Sequence, residues 1–169
     1  MFNSERQKKI SYCVFIVYLL LLIWLVLFKF SLNVSELPHI RHINMIPFSE
    51  SLIINGKLDI SEIVYNVLVF VPLGVYTAIF KAKSGFVIKA MPAFFISITF
   101  ELIQYIFSIG ATDITDVIDN TAGGIAGILL YMILKKIFTE KSISIVNIIG
   151  ILVEISALLM LAILLIANR

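Results

Sequence analysis

The chain has 169 residues, 60% of them hydrophobic and 14% charged, with a formal net charge of +2. A soluble domain runs at about 45–50% apolar and about 25% charged, so both figures are displaced toward lipid. They exclude a secreted disulfide scaffold, a disordered chain and an ordinary cytosolic enzyme. The few basic residues fall in short clusters and give no sign of a nucleic-acid partner, and the single Cys13 can form no internal bridge.

The apolar residues fall in long runs, which predicts one all-α domain over residues 1–169: an integral membrane helical bundle of about five transmembrane helices with one long outer loop. The first span is Ile10 to Phe28, preceded by Arg6, Lys8 and Lys9. It is longer than the roughly 7–15-residue core of a signal peptide and ends in Trp24, Phe28, Lys29 and Phe30, so it reads as a retained helix. The outer loop, Ser31 to Glu62, carries Pro38, Pro47 and an Asn55-Gly56 turn signal. Its stretch Ile43 to Ile54 is too short to span and too apolar for a free loop, so an interfacial or re-entrant form is expected.

The second span is about Ile63 to Phe80, with Pro72 as a potential kink, and the third about Phe86 to Ser108. A turn at Gly110 to Thr112 leads to the fourth span, about Asp113 to Leu134, and the fifth covers Ile143 to Ala167. Nine Lys and Arg residues (Arg6, Lys8, Lys9, Lys81, Lys83, Lys89, Lys135, Lys136, Lys141) fall on one side. Four (Lys29, Arg41, Lys57, Arg169) fall on the other. The positive-inside rule then predicts a multi-pass protein of the bacterial cytoplasmic membrane, N-terminus cytoplasmic and C-terminus extracytoplasmic.

Ionisable residues inside a span are costly, so they tend to face the bundle interior and serve a function. On the third span Ser97, Glu101, Gln104 and Ser108 fall within roughly 60° of helix circumference, and on the fourth Asp113, Asp116, Asn120, Gly123 and Gly127 fall within roughly 80°. On the second, Glu62, Asn66, Phe70 and Leu73 share a face with Gly74 at its edge. All three stripes lie in the outer half of the membrane. Structural readings stand beside this one. Asp113 can serve as the N-cap of the fourth helix, and Asn66 and Gln104 can be hydrogen-bond glue between helices. No helix-end role is visible for Glu101, whereas Asp119 points off the stripe and reads as a solvated charge.

Gly123, Gly124 and Gly127 form a small-residue surface with a GxxxG spacing, suited to close packing within the bundle or to a homodimer through Gly123 and Gly127. Glu154, in the middle of the fifth span, reads as a neutral acid bonded to a neighbouring helix or as part of a proton relay. His39 and His42 alone do not make a zinc site, so no metal ligands are assigned. Tyr65, Tyr105 and Tyr131 read as interfacial or packing aromatics.

Four polar blocks appear in order. The first holds Arg41, Asn44, Pro47 and Phe48; the second Asn66, Phe70, Pro72 and Gly74; the third Glu101 and Gln104. The fourth holds Asp113, Asp116, Asn120, Gly123, Gly124 and Gly127. In this order and spacing they resemble the VanZ-like family of bacterial membrane proteins, whose core would cover about 41–131. The spans at 10–28 and 143–167 carry no motif of that family. Many members have an Arg shortly before the first Asp of the last block; here Gly110, Ala111 and Thr112 stand there.

The resemblance implies a role in the cell envelope linked to resistance against the glycopeptide antibiotic teicoplanin. Beside it, the residues suggest an outward-facing binding site made of Arg41, Asn44, Asn66, Glu101, Gln104, Asp113, Asp116 and Asn120. Such a site would hold the head group of a membrane lipid, a cell-wall precursor or a lipoglycopeptide. Arg41 would supply bidentate phosphate or carboxylate recognition, and the acids would meet amines, hydroxyls or a divalent cation. Two alternatives are a membrane enzyme on a lipid-linked phosphorylated substrate, with Glu101, Asp113 and Asp116 as catalytic candidates, and a proton-coupled translocator using Glu101 and Glu154. Because Glu101, Asp113 and Asp116 are like charges, a proton, a cation or Arg41 should compensate them, and the outer loop is expected to fold back toward them.

Overall fold

The computed structural model describes residues 2–28, 42–48, 53–54, 57–58 and 60–167. Five α-helices account for most of them: α1 (Phe2–Phe28), α2 (Ser61–Phe80), α3 (Phe86–Phe107), α4 (Ile114–Phe138) and α5 (Ser142–Ala167). Four helical stretches are long and apolar enough to cross a membrane: Glu5–Phe28, Ser61–Phe80, Phe86–Phe107 and Ile114–Ile163. The last contains α4 and most of α5, joined by one 3-10 turn at Thr139–Lys141, so the five expected spans correspond to these five helices. α1 and α4 overrun their expected limits, starting at Phe2 and ending at Phe138, because Lys and Arg are good helix formers outside lipid.

α2 and α4 are the most extensively packed pair, and glycines permit it. A Cβ on Gly123 or Gly127 would fall against the carbonyl of Val67 or Val71, and one on Gly74 against the carbonyl of Gly124. In lipid, where apolar area gives no net drive for helices to associate, such close backbone approach supplies the packing energy. The surface named for a homodimer through Gly123 and Gly127 is therefore occupied within the chain. Gly124 faces α3 at Ala93, so α4 lies wedged between α2 and α3.

Two apolar clusters complete the bundle. One gathers Leu22, Phe70, Leu73, Ala93, Phe100 and Ile109, with Phe70 and Phe100 edge to face at 6.3 Å. The other joins Val14, Val75, Tyr76, Ile79, Ile128 and Val146. Pro72 removes one backbone donor from α2, which loosens the preceding turn. Tyr18 on α1 donates its hydroxyl proton to the Val69 carbonyl in that turn, at 2.8 Å.

Two pairs of short strands complete the described chain. β1 (Ile43–Asn44) pairs in parallel with β4 (Thr112–Asp113), in register Ile43 to Thr112 and Asn44 to Asp113. β2 (Ile53–Ile54) and β3 (Lys57–Leu58) pair antiparallel around the Asn55-Gly56 turn signal, which itself lies outside the described residues. The described part of the segment expected to be interfacial or re-entrant is thus extended chain plus a turn, and at residues 42–48 it is docked onto the α3–α4 connection.

Candidate functional site

α3 ends at Ser108, which takes the left-handed conformation (φ 56°, ψ 38°) and lets the chain reverse within a few residues into β4 and α4. This reversal brings the C-terminal end of α3 beside the start of α4. The Glu101 carboxylate, on a residue only 5% exposed, accepts the backbone N–H of Asp113 at 2.9 Å. Thr112 Oγ1 donates to the Glu101 carbonyl at 3.2 Å. Glu101 therefore does serve a helix end, and that end belongs to a different helix. Intra-helix spacing could not reveal the role, because the bond crosses the α3–α4 turn.

Asp113 is the N-cap of α4, as one sequence reading had it. Its Oδ1 accepts the Thr115 N–H at 2.7 Å, and its Oδ2 accepts from Asn44 Nδ2 at 3.1 Å. The Asn44 side chain also accepts the Ile46 N–H at 3.0 Å, so it needs both a donor and an acceptor and an Asp could not replace it. Phe48 stands at φ 60°, a left-handed conformation costly for a bulky residue, and its N–H donates to the buried Thr115 Oγ1 at 3.0 Å. Asn44 and Phe48 of the first sequence block thus grip the first turn of α4 from outside.

Asp116, in that first turn, accepts from Asn66 Nδ2 on α2 at 2.8 Å. Glu101, Asp113 and Asp116 converge on the N-terminus of a 25-residue helix, whose unpaired N–H groups and dipole favour negative charge. The helix-start reading of Asp113 and Asp116 thus holds, and the Asn44 and Asn66 amides add to the compensation. Arg41 lies outside the described residues. The residue that follows it, His42, accepts the Thr112 N–H at 2.9 Å through its carbonyl, so the described residues 42–48 lie against the acidic end.

Asn120 and Gln104 stand apart from the carboxylates. Asn120 donates to Ser97 Oγ on α3 at 2.9 Å and is fully buried. Gln104 reaches the Val26 carbonyl on α1 at 3.1 Å and packs against Gly110. Both are interhelical ties. Among the described residues no three of His, Cys, Asp and Glu are grouped closely enough to hold a metal ion.

Asp119 corrects the reading of a solvated charge. It is 5% exposed, its Oδ2 has no hydrogen-bond partner among the described residues, and its charged neighbours are Asp113 and Glu62. Because α4 is wedged between two helices, its buried arc is far wider than an 80° stripe would be. Asp119 precedes Gly123 and Gly127 at four-residue steps, and that shared face with the glycines was the available signal.

A second polar tie, Ser11 Oγ donating to Asn147 Oδ1 (2.8 Å) and Asn147 Nδ2 donating to the Gln7 carbonyl (2.9 Å), joins α1 to α5 at the opposite end. An Asn inside an apolar run was its only sequence signal. Glu154 lies beside Tyr76, and its Oε1 is buried with no partner among the described residues.

Comparison with known proteins places these features. The VanZ/LLP1 family model matches residues 15–135, which takes in half of α1 as well as the four motif blocks and stops short of α5. Protein VanZ of Enterococcus faecium is 41% identical over 128 residues, covering 75% of this chain and 76% of that protein. No solved structure matches the chain. With the family match extending well over half of its length, the chain belongs to the VanZ/LLP1 family.

Proposed function

We propose that the acidic end of the bundle binds the head group of an envelope lipid, a cell-wall precursor or a lipoglycopeptide, and that this binding underlies a link to teicoplanin-type resistance. The observation that carries the reading is pre-organisation. Asp113 and Asp116 are half-buried carboxylates, each held by an asparagine from a different segment, Asn44 and Asn66. Buried Glu101 braces the helix start beneath them. Acids fixed at the membrane boundary suit a ligand amine or sugar hydroxyls, because the donors need not be reorganised on binding. Arg41 would add recognition of a phosphate or carboxylate on the same ligand.

The same reading orients the protein. The nine basic residues on one side all belong to the end where α1 starts, α2 meets α3 and α4 meets α5, opposite the acids. We infer a cytoplasmic N-terminus and an outward-facing acidic end. A periplasm-sensitive reporter fused after Arg169 should be active and one inserted at 135–141 silent. The reverse pattern would turn the site inward and defeat an envelope-ligand role.

The binding reading is tested with Glu101→Gln and Asp116→Asn, which keep shape and hydrogen-bonding atoms while removing charge. At equal membrane levels in a teicoplanin-sensitive host, both should lose protection, and fluorescent teicoplanin should bind the nanodisc-embedded variants more weakly. Unchanged protection and unchanged binding in both variants would overturn it.

A further inference from the structure

The bundle end opposite the acids is open. There a cavity of about 1260 Å³ lies between the start of α1, the α2–α3 turn, the end of α4 and the start of α5. Its charged lining is Lys8, Lys81, Lys83, Lys135 and Lys141, with Glu140 the one acid among them. Five ammonium groups around one space repel one another unless an anion joins them. The first turn of α5, from Ser142 to Ile145, also lines the cavity, and the N-terminus of that 26-residue helix adds further positive potential.

The wall is apolar as well as basic. Tyr12 and Phe80 stack at 4.3 Å with parallel rings, and Ile79 and Ile148 continue the surface toward the membrane-spanning part of the bundle. A free phosphate ion needs neither that wall nor a space larger than the roughly 300–1,000 Å³ of a typical ligand pocket. A phosphate carried on glycerol with two acyl chains uses both. Lysines suit such an occupant, because their stems lie along apolar surface while the ammonium reaches the head group.

We propose that this cavity is a binding site for the phosphate head group of an anionic phospholipid. The site is independent of the acidic end and of any antibiotic. Basic pockets between helix ends hold acidic lipids by charge, each lysine strengthening binding about fivefold.

The test uses the full chain in neutral detergent, its melting temperature followed as dioleoyl phosphatidylglycerol, dioleoyl phosphatidylcholine or sodium phosphate is added; a ligand bound only by the folded state raises that temperature. Phosphatidylglycerol should raise it and phosphatidylcholine should not. Lys81→Gln with Lys135→Gln should require about 25-fold more phosphatidylglycerol for the same rise, and the exposed Lys83→Gln alone about fivefold more. Arg6→Gln with Lys9→Gln removes equal charge from a neighbouring groove along α1 and should leave the titration unchanged. Equal weakening in both double variants, or equal stabilisation by the two lipids, would overturn the site. A rise with sodium phosphate as large as with phosphatidylglycerol would overturn the lipid assignment.

Discussion

α4 and α5 follow one another across a single turn and have almost the same length, 25 and 26 residues. α4 carries two aspartates, an asparagine and three glycines and is capped by a third aspartate, Asp113, whereas the run of α5 holds a single charge, Glu154. Yet α4 lies at the centre of the bundle, and α5 turns most of its apolar side chains outward, Leu152, Leu159 and Ile166 being more than half exposed. In water the more apolar helix would take the centre. In lipid, apolar side chains lose nothing by facing out, and small and polar residues decide which helix is enclosed.

That contrast fails first, if it fails, at the glycines. Gly127→Ala sets a methyl group against backbone atoms of α2 (Val71 and Val75), which cannot move without separating the helices. Gly150→Ala on α5 meets only the Tyr76 hydroxyl at 2.6 Å and a Val14 methyl at 2.9 Å, both on side chains. Gly127→Ala should cost about 1–3 kcal/mol or more in denaturation from detergent. Gly150→Ala should cost clearly less, and similar losses would show that both helices are held alike.

Next in size is Asn66→Ala, which leaves the half-buried Asp116 carboxylate without its 2.8 Å donor. A hydrogen bond to a charged group contributes about 1.5–3 kcal/mol, so the melting temperature should fall with the fold intact by circular dichroism. No change would mean that Asp116 is held from elsewhere.

Asn147→Ala sharpens the same comparison from the α5 side. It removes the tie to Ser11 and Gln7, and interhelical polar contacts in membranes average about 0.6 kcal/mol with a ceiling of about 1.7. A loss exceeding that for Asn66→Ala would make α5 as integral to the fold as α4. The smallest effect is expected at Leu159→Ala, on the outward face of α5, within about 0.5 kcal/mol of unchanged. A larger loss would reveal a partner covering that face.

Much of this was legible in the residues, for identifiable reasons. Span positions follow from apolar run length, and the order of the four blocks carried the family. Asn66 and Asp116 lie on polar stripes at the same depth, which marks them as neighbours without pairing them. Helix periodicity failed where contacts cross between elements: the Glu101 bond to the Asp113 N–H, and the burial of Asp119 against α2.

What the sequence determined by itself is everything set by local chemistry: which segments are apolar enough for lipid, where glycine permits close approach, and which residue caps α4. Only the tertiary structure decided the rest. The left-handed turn at Ser108 aims Glu101 at the next helix, β1 pairs with β4, and α4 is enclosed between α2 and α3. Those outcomes depend on where several helix ends meet in space, and the 3.6-residue period of one helix carries no information about the position of its neighbours.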